Sequence, residues 1–397
     1  MNYKFSDKIA SLKPSAIREI FKSLTDPSII SFAAGNPSPE SFPVEELAKL
    51  AEEIFANEST TALQYNITEG YTPLRNAIAE RQKKRFGETM VRESDSVMVV
   101  SGGQQGIELA CKVFCNEGDA IICENPSFIG SLNSFRSNGA TLVGVDVEAD
   151  GISLEKLEDA LKNTPNAKLL YLIPTFHNPT GITMSLEKRL GVLELARKYD
   201  VVIIEDNPYG ELRFAGEDIP TLKALDTDSR VIYCSSFSKI LSAGMRVGFV
   251  VANAEICSKM TVAKQGEDVH TNIFFQMLCY KYMTECDLDA HIASINDLYR
   301  HKCELMLECL DKYVPSDKVS FTRPEGGLFI WGTVKNCTDA SAIVKKAIEK
   351  KVAVVPGTAF NCNTEALSDS FRLNYSTPSD EQIVEGVKRL GEVFAEL

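Results

Sequence analysis

The segment SSFSKILSAGMR, Ser235–Arg246, sets one lysine, Lys239, among short hydroxyl side chains, with an arginine seven positions on. A lysine amine is a poor nucleophile while protonated, but joined as an imine to an aldehyde cofactor it anchors an electron sink. Ser236, Ser238 and Arg246 are the donor types that hold a phosphate on such a molecule. A second stretch, SGGQQG, follows a strand pattern and opens a helical one, so Gly102, Gly103 and Gln104 offer backbone N–H groups and the positive end of a helix dipole to an anion. It matches neither a Walker A loop nor G-x-G-x-x-G, and a glycine pair after a strand is more often just a tight turn.

VVIIEDNPYGEL puts Asp206 at the mouth of a buried strand, ahead of a proline turn and Tyr209. A carboxylate there caps a helix or turn, or partners a protonated heterocyclic nitrogen. PTFHNPTG puts Asn178 at another strand end, where its amide closes the turn before Pro179 or points a donor at a ligand oxygen. Each feature has an ordinary structural explanation, and a lone S-x-S-K is usually a solvated loop. Five polar clusters at successive strand ends, SGGQQG, ENPSF, PTFHNPTG, EDNPYG and SSFSK, are hard to explain as unrelated turns.

The elements that must position them are legible as alternation. Short β-branched runs, SVMVVSGG, GDAIICENP, ATLVGVDV, AKLLYLIPT, DVVIIEDNP, RVIYCSS and GFVVA, are interleaved with helical patterns such as QQGIELACKVFCNEG, LEKLEDALKN and SLEKRLGVLELARKYD. The pattern predicts an α/β fold with a mostly parallel sheet covered by helices on both faces, with ligands gathering at the carboxyl ends of the strands. Beyond about residue 290 a long helix, HIASINDLYRHKCELMLECLDKYV, precedes short strands around GGLFIWGTV, VAVVPG and FRLNYS, which reads as a smaller α+β domain. The expected division is residues 1–40 as an N-terminal segment and part of the small domain, 41–290 as the large domain, and 291–397 as the small one.

With 397 residues the chain is large enough for two domains. Its 42 basic and 55 acidic residues give a formal charge of −13, which disfavours nucleic acid and anionic membranes as partners. The start, MNYKFSDKIA, has no apolar leader and no run approaches a membrane span, so a cytoplasmic protein is expected. Eleven scattered cysteines read as core residues rather than a disulfide framework, and the four histidines are not at ligand spacing with them, so no metal is expected.

Taken together the motifs resemble pyridoxal-phosphate aminotransferases of fold type I, class I/II, and within them the branch of 2-aminoadipate and kynurenine aminotransferases and the catalytic domains of MocR-type regulators. The resemblance runs nearly end to end through SAIREI, ISFAAGNPSPESFP, LQYNITEGYTPLRNAIAER, SGGQQG, PTFHNPTG, EDNPYGELRF, SSFSKILSAGMRVGF, PEGGLFIW, VAVVPGTAF and FRLNYS. It implies a seven-stranded large-domain sheet with Lys239 as the Schiff-base lysine, Asp206 as the pyridinium partner, and Asn178 and Tyr209 as donors to the ring oxygen. It implies that Gly103, Gln104, Ser236, Ser238 and Arg246 hold the phosphate and that Phe128 stacks on the ring. Arg372 is implied to grip the substrate carboxylate, with Asn178 and Gly35 at the substrate site, and Tyr65 to reach the phosphate of the neighbouring subunit of a homodimer.

The implied reaction moves an amino group from an L-amino acid to a 2-oxo acid, 2-oxoglutarate by default, in ping-pong fashion through an imine on Lys239. A β-lyase or decarboxylase on the same scaffold, or a non-catalytic sensor, are the rival expectations. Four positions depart from the commonest family pattern: Gly103 for serine, Phe128 for tyrosine, Asn207 for aspartate and Ala34 for glycine. These bear on substrate preference more than on cofactor use. The amphipathic segment SLKPSAIREIFKSL reads as a helix over the substrate entrance, or equally as one packed on the small domain.

Overall fold

A computed structural model of the chain describes residues 3–10 and 26–396. The segment SLKPSAIREIFKSL lies outside the described residues. The strand patterns appear as β2 (Asp95–Val100), β3 (Ala120–Asn125), β4 (Thr141–Glu148), β6 (Ala167–Leu172), β7 (Val202–Asp206), β8 (Val231–Ser236) and β9 (Gly248–Asn253). With a two-residue edge strand, β5 (Gly151–Ile152), they form one eight-stranded sheet of order β2-β9-β8-β7-β6-β3-β4-β5. The expected seven are the long strands; β5 adds only a short antiparallel rim to β4.

Neighbours from β4 to β8 pair in parallel, whereas β9 is antiparallel to both β8 and β2. Strand β2 therefore points the same way as β8. The carboxyl ends of β2, β3, β6, β7 and β8 share one edge of the sheet, where the polar clusters were expected.

The central strands read as unbroken apolar runs because helices cover both faces. Ile121, Leu169, Tyr171, Ile204 and Ile232 pack against the helices Gly103–Phe114 and Ile129–Ser137 on one side. Ile122, Leu170, Leu172, Ile203 and Val231 pack against Leu154–Asn163 and Leu186–Lys198 on the other. This period of two decides the chemistry at the end of β7: Asp206 shares the face of Ile204, and Glu205 turns to the opposite layer, where it accepts from Leu222 N and Lys223 N at 3.0 and 2.8 Å.

A second sheet, antiparallel, has the order β10-β11-β14-β13, with β10 at Val319–Phe321, β11 at Phe329–Val334, β13 at Val355–Pro356 and β14 at Ser370–Asn374. Arg372 lies in the middle of β14, opposite Trp331 on β11 and Val355 on β13. The short strand β1 (Ile30–Ser31) pairs in parallel with β12 (Val352–Ala353). Phe32 then bonds on both sides, to Ala353 O and from Asn374 N, each at 2.8 Å, which lays residues 33–36 beside β14. Among the described residues no helix is long and apolar enough to cross a membrane.

Candidate active site

A cavity of about 370 Å³ opens at the shared carboxyl edge of the large sheet, lined by Gly35, Gly103, Gln104, Phe128, Asn178, Asp206, Tyr209, Ser236, Ser238, Lys239, Arg246 and Arg372. Every expected site residue except Tyr65 therefore faces one volume. A larger open groove, about 1150 Å³, lies between the helices Thr72–Phe86 and Ile273–Glu285 and contains none of these groups.

Lys239 follows β8, and its Nζ donates to Gly35 O at 2.7 Å. Burial, the Arg372 and Arg246 charges, and against them the Asp206 carboxylate, bring its ammonium down to about 8. At that value a substantial fraction of the amine is neutral near physiological pH, the form that can attack a carbonyl or take a proton. Asp206 is buried and pushed up to about 7 by desolvation, partly offset by the hydrogen bond it accepts from Tyr171 at 2.6 Å. Added positive charge beside a carboxyl held near 7 draws it towards its ionised form, so the position favours a cationic partner.

Three side-chain donors, from Ser236, Ser238 and Arg246, gather along the cavity wall. Ser236 Oγ donates to Ser238 Oγ at 2.7 Å, and Arg246 Nη1 reaches Ser238 Oγ at 3.4 Å. Gly102 caps the helix Gly103–Phe114 at φ 83°, and a Cβ there would stand 2.1 Å from Arg246 Nη2. Only glycine lets the guanidinium and the helix N-terminus approach so closely. Gly103 itself has room: a Cβ would meet nothing nearer than 3.7 Å, so the missing serine hydroxyl leaves space rather than filling it. Backbone N–H groups of the first helical turn, two hydroxyls and a guanidinium thus surround one volume, the arrangement an anion needs.

Arg372 is buried between two aromatic faces, with Cζ 4.3 Å from the Phe329 ring centre and 5.0 Å from that of Phe360. Its Nη1 donates to Asn178 Oδ1 and its Nη2 to Ala33 O, both at 2.9 Å. Its buried Nε has no partner among the described residues, and burial lowers the group to about 10. A buried guanidinium with a donor left over and no carboxylate partner among the described residues suits an anionic guest. Asn178 also donates from Nδ2 to Tyr209 Oη at 3.3 Å, so one amide links the arginine to the phenol.

Tyr65 is not brought to this cavity by its own chain. It is 80% exposed and meets His270 edge-on at 5.8 Å. The sequence reading missed Tyr171, Phe329 and Phe360. Tyr171 looked like one more apolar strand residue, and the two phenylalanines carry no polar signal at all; only their place beside Arg372 in space gives them a role.

The family model Aminotransferase class I and II matches residues 27–390. The chain is 40% identical over 396 residues to an aromatic-amino-acid aminotransferase of Thermococcus litoralis, covering 99% of this chain and 94% of that one. It superimposes at TM-score 0.94, with 39% identity and coverage of 99% and 97%, on a multiple substrate aminotransferase from Thermococcus profundus. With the α-aminoadipate aminotransferase LysN of Thermus thermophilus, solved with N-(5'-phosphopyridoxyl)-L-leucine, the TM-score is 0.89 at 38% identity, again over 99% and 97%. A match of this length and depth, on a site of this composition, makes the chain a member of the class I and II aminotransferases, enzymes dependent on pyridoxal phosphate.

Proposed function

We propose that Lys239, Asp206, Asn178, Tyr209 and Arg372 carry transamination in this chain, and that Gly103, Gln104, Ser236, Ser238 and Arg246 hold the cofactor phosphate. The observation that carries the reading is their convergence: a lysine brought down to about 8, a carboxyl pushed up to about 7 and a buried guanidinium with a spare donor line a single cavity. The same features are the test of fit, since the cavity sets an amine, an acid and an anion cradle around one volume with Phe128 and Ile173 as apolar walls.

Bound there, pyridoxal phosphate supplies an aldehyde carbon for the amino group and a ring that draws off the electron pair left when Cα loses its proton. Arg372 grips the substrate carboxylate through its planar donors, held flat by Phe329 and Phe360. Lys239 Nζ would anchor the cofactor and, as a neutral amine, would take the proton from the substrate Cα. Asp206 holds a proton on the ring nitrogen, with Tyr171 keeping the carboxylate oriented. Asn178 and Tyr209 donate to the ring oxygen. Two half-reactions share these groups, so ping-pong kinetics follow.

Donors with aromatic and other apolar side chains, and 2-oxoglutarate as acceptor, are the proposed substrates. The apolar lining by Ile107, Ile173 and Phe329 and the named substrate of the Thermococcus litoralis relative support this choice. A homodimer with Tyr65 serving the neighbour's phosphate belongs to the same reading; exposed Leu63 and Tyr65 line one open groove beside His270. Stopped-flow spectra of the holoenzyme mixed with single amino acids test the reading. Phenylalanine or tyrosine should convert the bound cofactor to its amine form at the highest rate, and failure of every amino acid to do so would remove the proposal.

A further inference from the structure

Asn178 rides on a loop, Pro174–Met184, that leaves β6 at the edge of the cavity. The loop ends meet through Met184 N donating to Pro174 O at 2.7 Å, and its tip is closed by His177 N to Ile182 O at 2.8 Å and Gly181 N to His177 O at 2.6 Å. Between them Phe176 holds φ at 51°, a left-handed conformation that non-glycine residues keep only where the surroundings impose it.

Those surroundings include Arg189, from the helix Leu186–Lys198, whose side chain is wholly buried. Its Nε donates to Met184 O and its Nη2 to Pro174 O and Thr175 Oγ1, each at 3.0 Å, while Nη1 reaches Pro220 O at 3.1 Å. Among the described residues it forms no ion pair, and burial draws it down to about 10. A buried cation that takes three of its four partners from the loop commits those oxygens: the loop cannot shift without leaving the guanidinium short of partners, which is far more costly than a strained surface turn.

We infer that Arg189 is a positioning residue for Asn178, clamping both ends of the loop so that the amide stands where Arg372 and Tyr209 meet it. The effect on the cofactor rests on the proposed role of Asn178 as a donor to the ring oxygen. Lysine cannot replace the planar fork, because one ammonium cannot reach oxygens spread around three edges of the guanidinium.

The test compares wild type, Asn178→Ala, Arg189→Lys, Thr175→Val and the Asn178→Ala/Arg189→Lys double variant, each reconstituted with pyridoxal phosphate. The readout is the pH midpoint of the bound cofactor's absorbance change, with thermal unfolding followed in parallel. A donor to the ring oxygen favours its anionic form, so Asn178→Ala raises the midpoint by roughly one unit. Arg189→Lys moves it in the same direction, Thr175→Val moves it by a smaller amount, and the double variant goes no further than Asn178→Ala alone. A lowered unfolding temperature with the wild-type midpoint in Arg189→Lys, or in Thr175→Val should the first variant not fold, overturns the inference, as do additive shifts in the double variant. If Asn178→Ala leaves the midpoint unmoved, the donor role of Asn178 falls and takes the inference with it; if Asn178→Ala moves it and neither clamp variant does, only the inference falls.

Discussion

Tyr171 donates its phenolic hydroxyl to Asp206 Oδ2 at 2.6 Å, with both side chains buried on the same face of the large sheet. They sit on adjacent parallel strands, β6 and β7, and the tyrosine ring is fixed edge-on by Phe135 at 5.3 Å. Burial and the nearby carboxylate push the phenol well above its ordinary range, so it remains a donor at any physiological pH. Desolvation raises Asp206 towards neutrality and the Tyr171 bond opposes it. The Tyr171 bond is the largest of the effects that favour the charged carboxylate against its burial.

Removing that hydroxyl in Tyr171→Phe leaves Asp206 more often protonated at neutral pH. A hydrogen bond to a charged group is worth about 1.5–3 kcal/mol, so the dissociation constant for pyridoxal phosphate is expected to rise roughly tenfold or more. Spectroscopic titration of the apoenzyme measures it. Affinity equal to wild type would mean that the bond has no bearing on the cofactor.

Lys239→Ala removes the only amine lining the cavity among the described residues. Borohydride reduction of the holoenzyme followed by peptide mass analysis is expected to place the cofactor on Lys239 in the wild type and nowhere in the variant. Transamination should fall by at least about a thousandfold, as for loss of a covalent and acid–base group together.

The pH dependence of cofactor attachment carries a sign that can be checked. The neutral amine is the nucleophile, and its fraction grows as pH rises, so the rate at which apoenzyme takes up pyridoxal phosphate covalently should climb to a midpoint near 8 rather than at the ordinary 10.5 of a lysine. After burial, the positive charge of Arg372 is the next cause of the lowering; Arg372→Leu therefore moves the midpoint up, whereas Asp206→Asn, which removes an opposing carboxylate, moves it down. Stopped-flow absorbance at a series of pH values separates the two directions.

Much of this site is legible in the sequence because its polar residues sit at strand ends, where turn chemistry interrupts apolar runs. Lys239, Asp206 and Asn178 stand out there for that reason. Tyr171 does not: in a strand buried on both faces every residue from Leu169 to Leu172 is apolar or aromatic, and no alternation marks which one faces the cofactor layer. Arg189 leaves a trace in the sequence. With Val192, Leu193 and Ala196 it lies on the buried stripe of its helix, so an arginine occupies a core position of an amphipathic pattern. The resemblance, not the local pattern, brought Arg372 into the site, because β14 lies far along the chain and only the second sheet carries it there.

Arg372→Lys tests the carboxylate grip. A point charge keeps the attraction but loses the two-pronged geometry and the stacking between Phe329 and Phe360. KM for the amino acid and the oxo acid should both rise, each by roughly ten- to a hundredfold, if the lost interaction is worth about 1.5–3 kcal/mol. The absorbance spectrum of the resting holoenzyme should stay close to wild type. A large spectral change with unaltered KM would assign the arginine to the cofactor instead.

Tyr65 offers the sharpest test of assembly, because within its own chain it is exposed and outside the cavity. If it serves the phosphate of a neighbouring copy, Tyr65→Ala and Lys239→Ala each damage a different component of every site in their own homodimers. Mixing the two variants under conditions that let subunits exchange creates hybrids in which one site takes its lysine from one chain and its tyrosine from the other, and is whole. With random pairing half the dimers are hybrids and half of their sites are intact, so about a quarter of wild-type activity should return relative to a pure Lys239→Ala background. The Tyr65→Ala chains present contribute only their own residual rate, measured separately. Recovery no greater than that residual rate would show that the tyrosine does not cross between subunits.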